Sequence, residues 1–154
     1  MDQSLSTEYI ARTKSEASEL LSGLRKVSSL SFTTNNSIQD ALSDAFPFDT
    51  AHRIAVICKN KGVDTTNTEA LQAFLKELTN QVENLPVVTI TIAFTPKEKT
   101  VNAIYNWFLY QLKKQVLLDI RTDRNLIGSA VIAYKGKYKD YSLSKKLQQQ
   151  NVSN

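Results

Sequence analysis

The sequence predicts an α+β protein, in which an N-terminal all-helical bundle is followed by a small β-α-β-β-β domain with a short C-terminal helix. Two patterns lead to this prediction. Apolar residues recur at helical spacing in four separate segments before Pro86. After Pro86, runs of β-branched residues alternate with period two, which is typical of strands. We therefore place the domain boundary there, between residues 1–85 and residues 86–154.

The first helix is predicted over residues 5–27. Its apolar stripe has a period near 3.6 residues and includes Ile10, Leu20 and Leu24. Serine and threonine are frequent in this segment and lower its intrinsic helix propensity. We therefore expect the helix to depend on packing of its apolar stripe. The serine-rich residues 28–37 that follow are predicted to form a polar link.

Three further helices complete the predicted bundle. Pro47 ends the second helix, because proline cannot continue one. The third begins with Asp49 or Thr50 as its cap and ends before Gly62. The fourth begins at Thr68. Its stripe at i, i+3, i+4 and i+7 spacing consists of Ala70, Leu71, Phe74, Leu75, Leu78 and Val82.

The C-terminal domain opens with a strand predicted over residues 87–94, whose apolar side chains share one face. A helix from Lys97 to Lys114 follows Pro96. Further strands are predicted over residues 116–120, over residues 129–134 and after the turn at Lys135 and Gly136. This order gives the β-α-β-β-β arrangement.

The helix of this domain is apolar around more than half of its circumference. Its core-facing stripe consists of Val101, Ile104, Tyr105, Phe108 and Leu112. A different flank carries Ala103, Trp107 and Tyr110, and the basic residues Lys113 and Lys114 follow it. A helix that packs on one sheet needs only one apolar stripe. The second flank therefore either enters a core or contacts a partner protein.

Charge is distributed unevenly along the chain. Residues 1–85 contain eight Lys and Arg against eleven Asp and Glu, whereas residues 86–154 contain eleven against four. The N-terminal part therefore carries about −3 and the C-terminal part about +7. A basic C-terminal half can face nucleic acid, acidic protein or anionic lipid, or simply be a solvated lysine-rich surface.

The sequence offers no catalytic or metal-binding constellation. His52 is the only histidine, so a histidine-based triad or metal site lacks its residues. Cys58 is the only cysteine and is predicted to be a buried structural thiol. Gly128 and Gly136 are isolated and form no phosphate-binding loop. We therefore expect a protein without enzymatic activity and without a cofactor.

Residues 123–132 read Asp-Arg-Asn-Leu-Ile-Gly-Ser-Ala-Val-Ile and resemble the Asp-x-x-Leu-Ile-Gly-Gly motif of the ATP synthase delta subunit, which is called OSCP in mitochondria. The resemblance covers about 80 residues, from Leu71 to Leu147. Ser129 stands where the family often has the second glycine. The motif positions matched here are Asp123, Leu126, Ile127, Gly128, Asp140, Ser142 and Leu147. The family's N-terminal bundle has more helices than the four predicted here, so the resemblance implies a shortened N-terminal domain.

The resemblance implies a non-catalytic peripheral-stalk connector of the F1Fo ATP synthase. Such a subunit links the F1 head to the b-subunit stalk and resists rotor torque during proton-driven ATP synthesis. Its implied partners are the N-terminal segments of the α subunits and the b subunits, and it binds no nucleic acid. Its implied location is the cytoplasmic face of the inner or plasma membrane, which it reaches only through the complex.

The resemblance also suggests which residues make these two contacts. For the b-subunit contact, the candidates are Ala103, Trp107, Tyr110, Lys113 and Lys114. For the contact with the F1 head, the candidates are Ile10, Leu20 and Leu24, which also fit a helix core. Apolar anchors at i, i+3 and i+4 spacing are typical of helices that pack into grooves.

Two alternative functions remain open from the sequence. The basic C-terminal domain also suits a nucleic-acid-binding module, in which Tyr134, Tyr138 and Tyr141 would stack on bases. A stalk subunit of a V-type or A-type ATPase is the second alternative. Those subunits begin with a long charged helix, which this sequence does not predict.

Overall fold

A computed structural model of the chain describes residues 9–31, 38–126 and 130–140. The helices are α1 (Lys14–Ser31), α2 (Ile38–Ala45), α3 (Phe48–Asn60), α4 (Thr68–Glu83) and α5 (Glu98–Leu112). The strands are β1 (Val87–Ile92), β2 (Leu117–Thr122), β3 (Ala130–Tyr134) and β4 (Lys137–Asp140). The predicted α+β class, with helices first and a small sheet afterwards, is confirmed. The predicted C-terminal helix and the motif positions Ile127, Gly128, Ser142 and Leu147 lie outside the described residues.

The described residues fall into two compact units. The helical unit contains residues 9–11 and continues from residue 16 to residue 84, and it holds almost all of α1 together with α2, α3 and α4. The sheet unit contains residues 12–15 and everything described from residue 85 onward. The four residues 12–15 thus belong to a unit that is otherwise built from the second half of the chain.

Helix α1 begins at Lys14, later than predicted, because the residues before it pair with the sheet. The amide of Leu118 donates to the carbonyl of Arg12 at 2.8 Å, and the next residue forms a parallel bridge to the same strand. The helix also continues through Ser31, into the segment that was predicted to be a polar link. There the hydroxyl of Ser29 donates to a carbonyl one turn earlier, which accommodates a serine inside a helix.

The core of the helical unit is formed by one face of each helix. The predicted stripe of α4 is confirmed for its five larger members: Leu71, Phe74, Leu75, Leu78 and Val82 are all buried. From α1, the buried residues are Ala17, Leu20, Leu24 and Val27. Gly23 of α1 lies against the ring of Phe46, and a Cβ atom at this glycine would come within 2.0 Å of a ring carbon. The glycine is therefore needed for this close approach.

The ends of α3 and α4 are fixed by different means. Asn67 caps α4, because its side-chain oxygen accepts hydrogen bonds from the second and third helical N–H groups at 3.0 and 3.2 Å. Helix α3 begins earlier than predicted, with Pro47 rather than Asp49 or Thr50 at its N-cap and without a side-chain cap. The predicted end of α3 is confirmed, since Gly62 follows it with a φ of +65°.

The sheet unit contains four strands in the order β2-β1-β3-β4. Strands β1 and β2 are parallel, since α5 connects them, and the other neighbours are antiparallel. Strand β1 ends at Ile92, two residues before the predicted end, and Phe94 is consequently 58% exposed instead of sharing the buried face. The buried residues of β1 are Val88, Ile90 and Ile92, at the predicted period of two.

Candidate functional site

Helix α5 is the only complete helix described in the sheet unit, and it packs on one face of the sheet. Neighbouring strands lie about 4.8 Å apart, and a helix is about 10 Å wide, so one helix spans about two strands. On its β2 side, Val101 of α5 lines a small cleft with Leu118 and Ile120. On its other side, Ile104 and Phe108 border an open groove instead. The part of this face that β3 and β4 contribute is therefore not covered by α5.

The groove beside α5, which we call the α5 groove, has a volume of about 730 Å³ and an almost wholly apolar lining. Its floor consists of Ile90 and Ile92 of β1 and Ala130 and Ile132 of β3. Ile90 lies opposite Ile132 and Ile92 lies opposite Ala130, so the four side chains share one sheet face. Its wall on the helix consists of Thr100, Ala103, Ile104, Trp107 and Phe108, and Ala93 and Phe94 complete it.

Large aromatic side chains lie exposed on the flank of α5 that borders this groove. Trp107 is 52% exposed, and its ring meets that of Phe108 edge to face with centroids 4.8 Å apart. Tyr110, one turn further along α5, is 66% exposed, and Ala103 is exposed as well. The second flank predicted for this helix therefore lies at the surface of the sheet unit. Exposed apolar surface of this kind commonly marks an interaction site.

Two lysines follow the exposed flank at the C-terminal end of α5. Lys113 is the C-cap residue in the left-handed conformation, with a φ of 53°. Its Nζ atom lies 3.8 Å from the centroid of the Tyr110 ring, in a cation–π contact. Lys114 is exposed beside it. Their positive charges suit this end of the helix, where the helix dipole is negative.

A second group of lysines borders the α5 groove on the strand side. Lys139 of β4 lies opposite Ile132, and Lys137 lies opposite Tyr134. Because directly opposed residues in an antiparallel pair point to the same face, both lysines lie on the face that forms the groove floor. Both are exposed. The acidic residue Asp119 lies on the opposite face, where its carboxylate accepts from Arg121 at 2.8 Å.

The arrangement described so far is an apolar groove with basic borders and no reactive group. A family model for the ATP synthase delta (OSCP) subunit matches residues 11–153. The chain belongs to the ATP synthase delta (OSCP) family. The curated proteins include no significant match to it.

Membership in the OSCP family makes this chain a structural, non-catalytic subunit of the ATP synthase and a component of its peripheral stalk. The complex it belongs to is membrane-associated and carries out ATP synthesis coupled to ion transport. No helix in the described part of the chain has both the length and the apolar character needed to cross a bilayer. The alternative assignment to a V-type or A-type ATPase gains no support, since the matched family is the delta subunit.

The OSCP motif residues that the structure describes are turn and strand residues. Asp123 accepts a hydrogen bond from the amide of Asn125 at 2.9 Å, and its own carbonyl accepts from the amide of Leu126 at 3.2 Å. Both bonds stabilise the turn after β2. Asp140 is the last residue of β4 and lies opposite Val131. These residues therefore shape the sheet unit and do not line the α5 groove.

The three residues predicted to contact the F1 head do not form one surface in this OSCP-family chain. Leu24 is 1% exposed and belongs to the core of the helical unit. Leu20 is 4% exposed, and Ile10, which precedes α1, is half-buried. Ile10 and Leu20 nevertheless both line a pocket of about 400 Å³ in the helical unit, together with Phe46 and Arg53. We call this the helical-unit pocket.

Sequence reasoning missed the strand side of the α5 groove. The alternation along residues 87–94 predicts Phe94 inside a strand, and the b-subunit contact predicted from the sequence lies on the helix alone, without Lys137 or Lys139. A signal for the two lysines was present, because the two-residue turn at Lys135 and Gly136 fixes the register of the β3–β4 hairpin. That register, combined with alternation along both strands, places these lysines on the same face as Ile132.

The cysteine, the histidine and the acidic side chains of the described residues form no catalytic or metal-binding cluster. Cys58 is buried, as predicted, and burial raises the pKa of its thiol above the ordinary value for cysteine. His52 is exposed and stacks on Phe48 with ring centroids 6.1 Å apart. Among residues 9–31, 38–126 and 130–140, no three His, Cys, Asp or Glu side chains are grouped to hold a metal ion.

The tyrosines that suggested nucleic-acid binding do not form a common platform. Tyr134 lies on the face of the sheet that carries Ile132, whereas Tyr138 lies opposite Ala133 and so on the other face. Tyr141 lies outside the described residues. Base stacking on successive aromatic rings requires that the rings share one surface. Tyr134 and Tyr138 do not meet this requirement.

Proposed function

We propose that this OSCP-family subunit connects the F1 head to the b-subunit stalk, and that the α5 groove receives a helix of the b subunit. The observation that carries the proposal is the exposure of Trp107 beside the open apolar groove of the sheet unit. A groove of this form suits the apolar face of an amphipathic helix, which is a common mode of helix recognition. Tyr110, Ala103, Lys113 and Lys114 extend the same surface along α5.

A connector that resists torque needs firm attachment at two places and requires no reactive groups. The exposed half of the Trp107 side chain would contribute about 2–3 kcal/mol if a partner buried it. Aromatic residues in pockets of this kind commonly dominate the energy of an interface. The b-subunit contact is therefore expected to depend on a small number of side chains on α5.

The second attachment in this proposal is the helical unit. We propose that the helical-unit pocket receives an N-terminal segment of an α subunit, with Ile10 and Leu20 as its apolar lining. Arg53 lies at the same pocket, and its guanidinium stacks on Tyr9 at 5.1 Å from the ring centroid. Attached in this way, the subunit would reach the cytoplasmic face of the membrane through the complex.

The b-subunit contact is tested by titrating the water-soluble part of the b subunit of the same organism into the full chain. We expect Trp107→Ala to weaken binding at least about 30-fold, since each 1.4 kcal/mol corresponds to a factor of ten. Tyr110→Ala is expected to weaken it less, because Tyr110 does not line the groove.

Tyr138→Ala is the matched control for Tyr110→Ala. Both tyrosines are 66% exposed, but Tyr138 lies on the opposite sheet face from the α5 groove. Unchanged affinity in the Trp107 variant, measured by calorimetry with the fold verified by circular dichroism, would refute the proposed site. Equal losses in the Tyr110 and Tyr138 variants would also refute it.

A further inference from the structure

We propose that the helix which occupies the α5 groove presents a row of acidic side chains to β4, so that lysines on the strand side fix its orientation. This inference rests on the proposed function, because it concerns the same groove. It adds the chemistry of the partner's second face, which neither the family membership nor the apolar lining specifies.

The lysine border follows from the register of the β3–β4 hairpin. Ile132 forms part of the groove floor, and its direct neighbour across the strand pair is Lys139. The next position on the same face is Lys137, which lies opposite Tyr134. A partner helix lying on Ile132 and parallel to α5 would therefore have its outer edge beside β4 and its two lysines.

The opposite border of the groove adds no negative charge. Glu98 is the only acidic residue of α5, and its carboxylate accepts a hydrogen bond from Arg12, a residue that pairs with the far edge of β2. Beyond the C-terminal end of α5, Lys113 and Lys114 add positive charge. Lysines would therefore attract an acidic partner along the strand side of the groove and at the C-terminal end of α5, and no acidic residue described there would repel it at either place.

These charges are expected to govern orientation and association rate more than final affinity. Exposed ion pairs contribute little to affinity, because water screens them. Complementary charge nevertheless accelerates association and disfavours wrong orientations. Both effects weaken as ionic strength rises, since the screening length is about 8 Å at physiological salt.

The test uses Trp107, the only tryptophan of the chain, as the fluorescent reporter in stopped-flow mixing with the water-soluble b subunit. We expect the double variant Lys137→Glu and Lys113→Glu to associate about tenfold more slowly than wild type at low salt. The control variant, Lys59→Glu and Lys76→Glu, makes the same change in net charge on exposed residues of the helical unit. The control should associate much faster than the double variant at Lys137 and Lys113, which we call the groove variant. Only in the groove variant should the association rate lose most of its dependence on salt.

The outcomes separate this inference from the proposed function. If the groove variant and the control associate at the same rate, but Trp107→Ala still removes binding, the proposed acidic row on the partner helix is refuted and the groove contact stands. If Trp107→Ala leaves binding intact, the proposed function fails as well. A further experiment measures binding of the same proteins to vesicles that contain an anionic phospholipid. If they bind wild type and lose binding in the groove variant, while the b subunit binds both equally, the lysines face lipid and the inference is overturned.

Discussion

The Nζ atom of Lys113 lies 3.8 Å from the centre of the Tyr110 ring, and Lys113 makes this contact from a left-handed backbone conformation with a φ of 53°. A residue with a Cβ atom adopts that conformation at a cost of about 1 kcal/mol. Glycine adopts it freely. The residue that ends α5 is thus strained, and its side chain lies at the surface proposed to bind the b subunit.

Replacing Lys113 by glycine is therefore expected to stabilise the protein and weaken its binding. We expect Lys113→Gly to raise the free energy of unfolding by about 1 kcal/mol in urea denaturation, because the strain is removed. Calorimetry should show lower affinity for the b subunit. Lys114→Gly is the control, since Lys114 has no positive φ, and it should lower stability by about 0.5–1 kcal/mol. A stabilising effect in both variants would contradict this explanation.

Gly23→Ala is expected to destabilise the helical unit, although alanine favours a helix by about 1 kcal/mol over glycine. The new Cβ atom would lie 2.0 Å from a ring carbon of Phe46, so the buried ring must shift from its place. Such overpacking costs about 1–3 kcal/mol. In a Phe46→Ala background the same change should become neutral or stabilising. Thermal denaturation of the four proteins of this double-mutant cycle measures the coupling, and simple additivity would exclude the clash.

Loss of the Asn67 cap is expected to destabilise α4. Asn67→Ala removes both hydrogen bonds that its side chain accepts from the first turn, and it should lower the free energy of unfolding by about 1 kcal/mol. Asn67→Asp keeps an accepting oxygen at the same place and should retain most of the stability. If both variants lost stability equally in urea denaturation, the cap would not be the cause.

Cys58 is expected to make stability depend on pH in the alkaline range. Burial raises the pKa of its thiol in the folded state, so the folded protein favours the neutral form. Its contribution is fully present below the pKa of the thiol in the unfolded state and is lost as the pH rises through the higher folded pKa. Melting temperatures across this range should fall more steeply for wild type than for Cys58→Ala. A thiol reagent should also react slowly with the folded protein, and rapid reaction would contradict the burial.

Local patterns in the sequence were sufficient for most helices and strands. The α4 stripe and the alternation of Val88, Ile90 and Ile92 depend only on spacing along the chain, and the structure contains both. The start of α1 was predicted wrongly because it depends on a distant strand, to which Arg12 is paired. Spacing within one segment carries no information about such a partner.

The candidate site divides in the same way. The exposed flank with Trp107 followed from an excess of apolar residues on one helix. The groove could not be predicted, because its floor exists only when β3 pairs beside β1 and brings Ile132 next to Ile90. The burial of Leu24 in the core could not be predicted either, since an apolar helical stripe has the same spacing whether it faces a core or a partner protein.

The pairing of Arg12 with the sheet unit has a consequence for how this protein is made. Arg12 bonds to the side chains of Glu98 and Asn102, and Glu98 lies 86 positions further along the chain. During synthesis, residues 12–15, which belong to the sheet unit, therefore leave the ribosome long before any of the strands has been made. A fragment that starts at residue 85 lacks the residues that pair with the edge of β2, so this edge would be free to pair with other chains. Adding a peptide that contains residues 9–15 should restore the pairing.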